Sequence, residues 1–416
     1  MGNKNKHGFA TRALHAGYNP HEHNASRTVP LYQSTAFLFK DTDHAARLFK
    51  LEEEGHIYTR INNPTVDALE NRIASLENGV AGLAFASGMA AISASLLTIL
   101  RAGDEIVASS SLYGGTFNLF SVTLPKIGIT TKFVDISDPE NVERAIRKET
   151  KLVFVETIGN PRIDVPDLEV LAGIAHKHGL PFFVDNTTAS PYLCQPLDHG
   201  ADVVLHSTSK FIGGHGGSLG GLMVAGDGFD WAKTFPFLEP YVGIGPSPFA
   251  TCARVEALRD YGGAMSPFNA FQFIQGVETL AIRMQRHSEN ASSIAGFLYE
   301  HPAVEYVNYP TVPDHPSTET AKKYLPNGYG ALLSFGLKGG YEAGKKVVNS
   351  CQLIHHLANL GDTKTLILHP ASTSHEQLSA EDKIAAGSPE ELIRMSIGIE
   401  DVADIIADLK RGLPVE

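Results

Sequence analysis

The sequence is poor in cysteine and contains no long hydrophobic run. Its three cysteines, Cys194, Cys252 and Cys351, are odd in number and form no C-x-x-C pair. This usage indicates reduced thiols in the cytoplasm and argues against a disulfide framework, and we expect no metal site. No stretch approaches the ~18 consecutive apolar residues of a membrane helix. The polar first residues are not followed by an apolar core, so we also expect no secretory signal.

Positive charge is also in short supply. The 416 residues include 34 Lys and Arg against 46 Asp and Glu, which gives a formal net charge of −12. A chain with this balance is poorly suited to phosphate backbones or anionic lipids, so we expect neither a nucleic-acid nor a membrane partner. The content of 43% hydrophobic and 19% charged residues is typical of a folded globular protein. About two or three domains are expected at this length.

Short apolar runs alternate with helical stretches in the first two thirds of the chain. Strands are predicted at 105–108, 131–134, 152–155, 182–184 and 202–205, with a helix at 168–178 before the fourth of them. This alternation predicts βα units and a mostly parallel sheet.

The pattern changes near residue 262. Before residue 64 no period is strong, which predicts an extended arm; a helix then begins at Asn63-Pro64-Thr65, with Thr65 as its cap. Beyond 262 we predict a long helix (268–299), a strand (331–335) and two further helices (342–358 and 389–413), with a strand at 395–397 inside the last span. The predicted division is an arm (1–63), a cofactor-binding domain (64–262) and a C-terminal domain (263–416).

The most informative motif is His206-Ser207-Thr208-Ser209-Lys210, which precedes a glycine-rich run. Ser207 and Ser209 occupy alternate positions, so both hydroxyls could donate to one phosphate. A lysine beside such an anion can form a Schiff base with an aldehyde cofactor. The alternative is a surface lysine before a flexible loop, because glycine-rich loops are weak signals on their own.

A second candidate is Asp185, which ends an apolar strand. Ligands of parallel α/β sheets bind outside the carboxyl ends of the strands. A carboxylate there could pair with a protonated pyridine nitrogen, although an Asp after a strand more commonly caps a helix or a turn.

Other candidates are a helix start and an aromatic residue. Ser87-Gly88-Met89 opens a helix, whose free N–H groups could bind an anion, or Ser87 could simply cap that helix. Tyr113 precedes two glycines and could stack on a flat ring, although most tyrosines only pack.

Two arginines have patterns that suit anion binding. Arg60 lies two residues after Tyr58 and could bind a phosphate through two parallel N–H···O hydrogen bonds, although an exposed arginine is usually solvated. Arg394 lies among apolar residues and therefore needs an anion, either a buried Asp or a substrate carboxylate.

Taken together, these motifs resemble the fold-type I pyridoxal-phosphate (PLP) enzymes of cysteine and methionine metabolism. The matching segments are 14–17, 185–187, 191–192, 196, 200–204, 206–211 and 396–401, which span nearly the whole chain. The resemblance implies an α/β fold like that of aspartate aminotransferase. Its mostly parallel central sheet carries helices on both faces, with a smaller α+β C-terminal domain. One departure is Ser209, where many relatives carry Thr, and the hydroxyl remains.

The resemblance also implies roles for individual residues. Lys210 matches the lysine that holds PLP and moves protons, Asp185 the partner of the pyridinium, and Tyr113 the tyrosine that stacks on the ring and assists proton transfer. The remaining matches are phosphate ligands (Ser87, Gly88, Met89, Ser207, Ser209), a residue near the phenolic oxygen (Asn160), residues that reach the neighbouring subunit's site (Tyr58, Arg60) and substrate ligands (Arg394, Asn359, Tyr58). Such sharing implies a homo-oligomer, typically a tetramer built from dimers.

Within the family, the resemblance is strongest to the O-acetylhomoserine sulfhydrylases, through residues 48–63, 262–271 and 360–373. We therefore expect γ-replacement, in which O-acetyl-L-homoserine and sulfide, or methanethiol, give homocysteine, or methionine, and acetate. An alternative is a γ-lyase acting on methionine or cystathionine. It is disfavoured because methionine γ-lyases typically carry Cys where this chain has Gly115. Another alternative, a non-catalytic phosphate or nucleotide binder, would have no need of Lys210.

Overall fold

The computed structural model describes residues 7–313, 315–373, 376 and 387–414, and within them no helix is long and apolar enough to cross a bilayer. The α-helices are α1 (Phe9–His15), α2 (Thr42–Phe49), α3 (Pro64–Leu76), α4 (Gly88–Ile99), α5 (Gly114–Asn118), α6 (Glu140–Ala145), α7 (Leu168–Lys177), α8 (Ser190–Leu193), α9 (Trp231–Thr234), α10 (Pro248–Cys252), α11 (Arg259–Tyr261), α12 (Pro267–Glu278), α13 (Leu280–Tyr299), α14 (Thr318–Tyr324), α15 (Gly340–Ser350) and α16 (Val402–Leu409). The strands are β1 (Ala81–Phe85), β2 (Glu105–Ser109), β3 (Thr130–Val134), β4 (Thr150–Glu156), β5 (Phe182–Asp185), β6 (Val203–His206), β7 (Gly221–Ala225), β8 (Val304–Asn308), β9 (Leu332–Leu337), β10 (His355–His356), β11 (Leu366–Leu368) and β12 (Leu392–Ser396).

The first seven strands form one sheet in the order β1-β7-β6-β5-β4-β2-β3. Strands β2 to β6 pair in parallel, and β7 joins β6 and β1 antiparallel, so the prediction of a mostly parallel sheet is confirmed. Leu69 and Leu171 lie in the hydrophobic cluster on one face and Leu96 in the cluster on the other. Because both faces are buried, the central strands consist almost wholly of apolar residues.

The other five strands form a smaller sheet in the order β10-β11-β12-β9-β8, with only β10 and β11 parallel. Helices α13, α15 and α16 pack on it around a separate apolar cluster that includes Phe335 and Ile405. The smaller α+β unit implied by the resemblance is therefore present. The division at residues 63 and 262 stays a prediction.

Several predicted boundaries are wrong. The first predicted helix is capped by Asn63, whose Oδ1 accepts the Thr65 N–H at 3.0 Å. Thr65 was predicted as the cap, but its hydroxyl instead donates to Pro30 O at 2.7 Å and so holds the arm. The arm is not simply extended, because it contains α1 and α2.

The predicted helices beyond residue 262 are also too long. The span 268–299 is two helices that meet at Thr279, and the span 342–358 ends as a helix at Ser350. The span 389–413 is strand β12 followed by α16. Apolar residues at helical spacing also occur where a buried strand follows a turn, so periodicity alone does not separate these cases.

Candidate active site

Three polar side chains lie at the carboxyl ends of neighbouring strands in the large sheet. Glu156 ends β4, Asp185 ends β5 and His206 ends β6, and all three are buried. Parallel strands bring their carboxyl ends to the same edge, so this edge collects groups from distant parts of the sequence. It is the place where a ligand of such a sheet is expected.

Asp185 is held at this edge by the residues that follow it. Its Oδ1 accepts the Thr187 N–H at 3.0 Å. Burial raises the pKa of Asp185, while the Thr187 hydrogen bonds and the nearby His206 lower it. A cation that arrives beside this carboxylate would therefore be well matched.

Lys210 lies in the turn after β6, where its N–H donates to Ser207 O at 3.1 Å. Its Nζ donates to Oδ1 of Asn359, which comes from the loop before β11. Burial lowers the pKa of Lys210 to about 8, and the positive charge of Arg394 adds to this effect. An amine with such a pKa is partly unprotonated near neutral pH, as a nucleophile or a base must be.

Arg394 lies in the middle of β12, between Ser334 of β9 and Leu368 of β11. Its Nη2 donates to Asn359 O at 3.0 Å, and its buried Nε has no partner. Within the described ranges it forms no ion pair with a carboxylate, and burial lowers its pKa to about 10. Asn359 thus contacts both Lys210 and Arg394, as the resemblance implied for residues of one site.

The segment around Gly88 and the turn around Ser207 are in close contact. A Cβ on Gly88 would lie 2.8 Å from the Ser207 Cβ, so only glycine fits here. The first N–H groups of any helix have no acceptor within it. In α4 the Ser87 Oγ accepts the Ala90 N–H at 3.1 Å, and the N–H groups of Gly88 and Met89 have no acceptor within the helix. The N-terminal N–H groups of α4 and the Ser207 side chain therefore lie next to each other.

Ser207 and Ser209 lie beyond β6, which ends at His206, in the turn that follows. Ser209 lies in that turn and faces the chain at Gly220. Its Oγ accepts the Gly220 N–H at 2.9 Å and donates to Gly220 O at 3.2 Å. The role of Ser209 as a phosphate ligand stays a prediction.

Tyr113 lies just before α5, and its ring is 51% exposed. Its N–H donates to Oε1 of Glu156 at 2.6 Å. A Cβ at Gly115 would lie 2.4 Å from the Tyr113 ring carbon Cε1, so the glycine allows the ring to lie over it. Asn160 is buried in the loop after β4, on the same side of the sheet.

Tyr58 and Arg60 lie elsewhere in the same chain. They line a cavity of about 430 Å³ with residues 262 and 264–267, and the Arg60 guanidinium lies 5.4 Å from the Tyr58 ring centre. Arg60 Nη1 donates to Arg259 O. The lining of this cavity includes neither Lys210 nor Arg394.

Sequence reasoning missed two buried groups at this edge. Glu156 ends an apolar strand just as Asp185 does, so the same signal could have found it. Glu77, at the end of α3, accepts from His206 Nε2 at 2.6 Å and from Asn186 Nδ2 at 2.8 Å. Nothing local marks Glu77, because its partners lie more than 100 residues away.

Comparison with known proteins identifies the family. The family model described as "Cys/Met metabolism PLP-dependent enzyme" matches residues 10–414. The chain belongs to this family. It is 50% identical to the homocysteine synthase of Schizosaccharomyces pombe over 98% of each chain. It is 49% identical to the O-acetyl-L-homoserine sulfhydrylase of Leptospira meyeri, covering 97% of this chain and 96% of that protein.

A solved structure shares the fold. It is a putative O-acetylhomoserine (thiol)-lyase from Campylobacter jejuni that carries a pyridoxyl-lysine phosphate. The TM-score is 0.91 at 40% identity, with 97% of this chain and 99% of that chain covered. The fold-type I architecture implied by the sequence is confirmed.

The residues at the sheet edge fit PLP, the cofactor of the family. The buried Asp185 carboxylate offers a partner for a protonated ring nitrogen, and Lys210 offers an amine with a lowered pKa for the aldehyde. The close approach of Gly88 to Ser207 leaves N–H groups and a hydroxyl for a phosphate. The unpartnered Arg394 Nε remains for an anionic substrate.

Proposed function

We propose that this protein catalyses γ-replacement on O-acetyl-L-homoserine, with sulfide or methanethiol as the sulfur donor and PLP as the cofactor. The observation that carries the proposal is the contact of Asn359 with both Lys210 and Arg394 beside the carboxyl end of β5. The contact joins a candidate base to a candidate carboxylate ligand, and Lys210 follows β6, the strand next to the one that Asp185 ends. The names of the relatives supply the substrate, and they support homocysteine as the product.

Arg394 would bind the α-carboxylate of the substrate. A guanidinium without a carboxylate partner in the described chain can form a two-point ion pair with an incoming one. This contact orients the substrate so that the Cα–H bond points toward Lys210. Taking the substrate carboxylate out of water costs free energy. This cost is offset because the carboxylate neutralises the unmatched buried charge of Arg394.

Lys210 would move the protons. As a free amine it takes a proton from Cα and then one from Cβ, and its pKa of about 8 allows it to return them near neutral pH. Bound PLP supplies the electron sink that makes the Cα proton acidic, and Asp185 holds the ring-nitrogen proton on which this property depends. Ser87, Gly88, Met89, Ser207 and Ser209 would hold the phosphate, and Asn160 would lie near the phenolic oxygen.

The overall exchange is balanced. Acetate leaves Cγ with the bonding electron pair, and hydrosulfide forms a new C–S bond at Cγ, so homocysteine is released without an oxidant or reductant. Tyr113 is the proposed proton donor to the departing acetate, because its half-exposed hydroxyl-bearing ring lies on the same side of the sheet.

The test is product analysis with purified enzyme. We expect homocysteine only when O-acetylhomoserine and sulfide are both present, and no 2-oxobutyrate from methionine alone. Rapid 2-oxobutyrate formation from methionine, with no homocysteine from the ester and sulfide, would show that the chain is a γ-lyase instead. Methanethiol in place of sulfide, with methionine as the measured product, tests the second donor.

We also propose that the enzyme works in the cytoplasm as a homotetramer built from dimers that share active sites. Free thiols at all three cysteines support the location. The absence of Lys210 from the lining of the cavity around Tyr58 and Arg60 supports shared sites. Tyr58 and Arg60 would then reach the phosphate, and Tyr58 the substrate, of the neighbouring subunit.

Mixed subunits test this sharing. Arg60→Ala should weaken PLP retention, and Lys210→Ala should abolish turnover. Co-refolding the two variants at a PLP concentration that leaves Arg60→Ala largely empty should restore part of the activity, because some mixed sites then contain both an intact Arg60 and an intact Lys210. No recovery in mixtures shown by mass to contain mixed oligomers would contradict shared sites.

A further inference from the structure

The structure places a second buried carboxyl beside Asp185. Glu156 and Asp185 are register partners at the ends of the parallel strands β4 and β5. Side chains of register partners lie on the same face, about 5 Å apart at the backbone. Glu156 is 5% exposed and Asp185 9% exposed, so little water separates the pair from the protein interior.

The two carboxyls have different partners. Asp185 Oδ1 accepts the Thr187 N–H at 3.0 Å, and Glu156 Oε1 accepts the Tyr113 N–H at 2.6 Å. In the part of the chain that the structure describes, no Lys, Arg or His nitrogen lies within 4.0 Å of either carboxyl. The pair therefore has hydrogen bonds but no directly contacting cation.

Two adjacent buried carboxyls do not both ionise at neutral pH, because the like charges repel in a medium of low dielectric constant. Burial raises the pKa of Glu156 well above its usual range, and the charges of Asp185 and Asp164 raise it further against the Tyr113 hydrogen bond. Burial also raises the pKa of Asp185, but the Thr187 hydrogen bonds and His206 partly offset it, whereas the charges near Glu156 add to its rise. Glu156 is thus the member of the pair that keeps the proton.

The loop that carries Tyr113 depends on these acids. Ser111 donates to Asp164 Oδ1 at 2.6 Å, and Tyr113 donates its N–H to Glu156. The Tyr113 ring meanwhile lies over Gly115, where a Cβ would come within 2.4 Å of it. The backbone and the ring of Tyr113 are therefore each fixed by one contact, and Glu156 supplies the first.

We infer that Glu156, as a neutral acid, is a positioning residue that fixes Tyr113 relative to Asp185. A bound PLP ring would then meet a fixed aromatic face, and its ring nitrogen would pair with a single negative charge. The inference rests on the proposed function only in taking PLP as the bound ring. A neutral Glu156 leaves the carboxyl pair with one net negative charge, which matches the one positive charge of a protonated pyridine.

Two substitutions separate the acceptor from the charge. Glu156→Gln keeps an oxygen that can accept from Tyr113 but cannot ionise, whereas Glu156→Leu removes the acceptor and leaves the Tyr113 N–H without a partner. The readouts are the affinity of the apoprotein for PLP and the visible circular dichroism of bound PLP, which reports a fixed ring orientation. We expect about tenfold weaker PLP binding and a reduced dichroic band in the Leu variant, the effect of about one lost buried hydrogen bond. The Gln variant should stay within about threefold of the wild type.

Asp202→Leu is the matched control. Asp202 is a buried carboxyl at the opposite edge of the sheet, where it accepts the Phe182 N–H at 2.7 Å. This variant should lose stability but keep PLP affinity and the dichroic band. If Gln is as damaging as Leu, the site needs a charged Glu156 and the inference is wrong. If Leu leaves both readouts unchanged after correction for stability, Glu156 is only structural.

The outcome is independent of the overall reaction. Both readouts report PLP binding, so they apply whichever product the enzyme forms. Failure to make homocysteine would overturn the proposed reaction while leaving the role of Glu156 to these measurements.

Discussion

The two edges of the large sheet each hold a buried carboxyl that accepts a backbone N–H, and their surroundings differ. At the amino edge, Asp202 accepts from Phe182 N at 2.7 Å and from His176 Nε2 at 2.8 Å. The hydrogen bond to Asp202 raises the pKa of His176, so the pair is locally matched in charge. At the carboxyl edge, Glu156 accepts from Tyr113 N, and its register partner is a second acid.

The same contrast extends to the cations. Within the described residues, the Lys210 Nζ near the carboxyl edge and the Arg394 guanidinium of the smaller sheet both donate to oxygens of Asn359 and form no ion pair, and burial displaces the pKa of each. Groups with unmatched charge and displaced pKa values are typical of functional sites. The amino edge is built to hold the sheet together, and the carboxyl edge is built to bind charges that a ligand brings.

The largest effect should come from Lys210→Ala. Removing the amine at the carboxyl edge should lower kcat by about 10³-fold or more and abolish the visible absorbance of lysine-bound PLP. Steady-state kinetics and an absorbance spectrum of the dialysed protein provide the measurement. Full activity in this variant would contradict the assignment of the site.

A smaller loss is expected from Arg394→Gln. Loss of the ion pair to the substrate carboxylate should lower kcat/KM by about 100-fold, mainly through KM, while the absorbance of bound PLP is kept. Arg394→Lys is the control, because it keeps the charge but not the two-point geometry, and it should lie between the wild type and Gln. An unchanged KM in the Gln variant would mean that another residue binds the carboxylate.

At the opposite edge, Asp202→Leu should change stability without changing chemistry. The buried Phe182 N–H then lacks a partner, which costs about 1–3 kcal/mol of the free energy of unfolding. Denaturant unfolding of the variant measures this loss, and kcat/KM measured well below the unfolding midpoint should match that of the wild type. A large loss of kcat/KM there would remove the proposed distinction between the two edges.

The smallest effect is a pH dependence of stability from His176. The hydrogen bond to Asp202 raises its pKa above the usual value of about 6.5. The imidazolium therefore contributes its stability in full below about pH 6.5 and loses it as the pH rises through the folded-state pKa. Because His176 is partly exposed, the contribution should be below about 1 kcal/mol. Unfolding midpoints of the wild type and His176→Gln should converge as the pH rises; a constant difference would show that the imidazole charge does not contribute.

The fold class and the main candidate residues follow from local signals. Asp185 comes directly after one predicted apolar strand and Lys210 shortly after the next, and these positions predict the carboxyl edge of a parallel sheet. The strand predicted at 395–397 within a helical span begins earlier in the structure, at Leu392, because a short buried strand has no period that separates its start from a helix. The antiparallel strand β7 was missed, since the glycines that precede it hide its start.

The sequence by itself determined the alternation of strands and helices, the family and the segments that carry the candidate residues, because these are recorded in short patterns and motifs. Only the tertiary structure decided which distant groups meet. Asn359 contacts Lys210 across 149 residues, and Glu156 lies beside Asp185 because β4 and β5 pair in register. The reason is physical: pairing between strands and burial of a charge depend on neighbours brought together by folding, and such contacts leave no periodic trace along the chain.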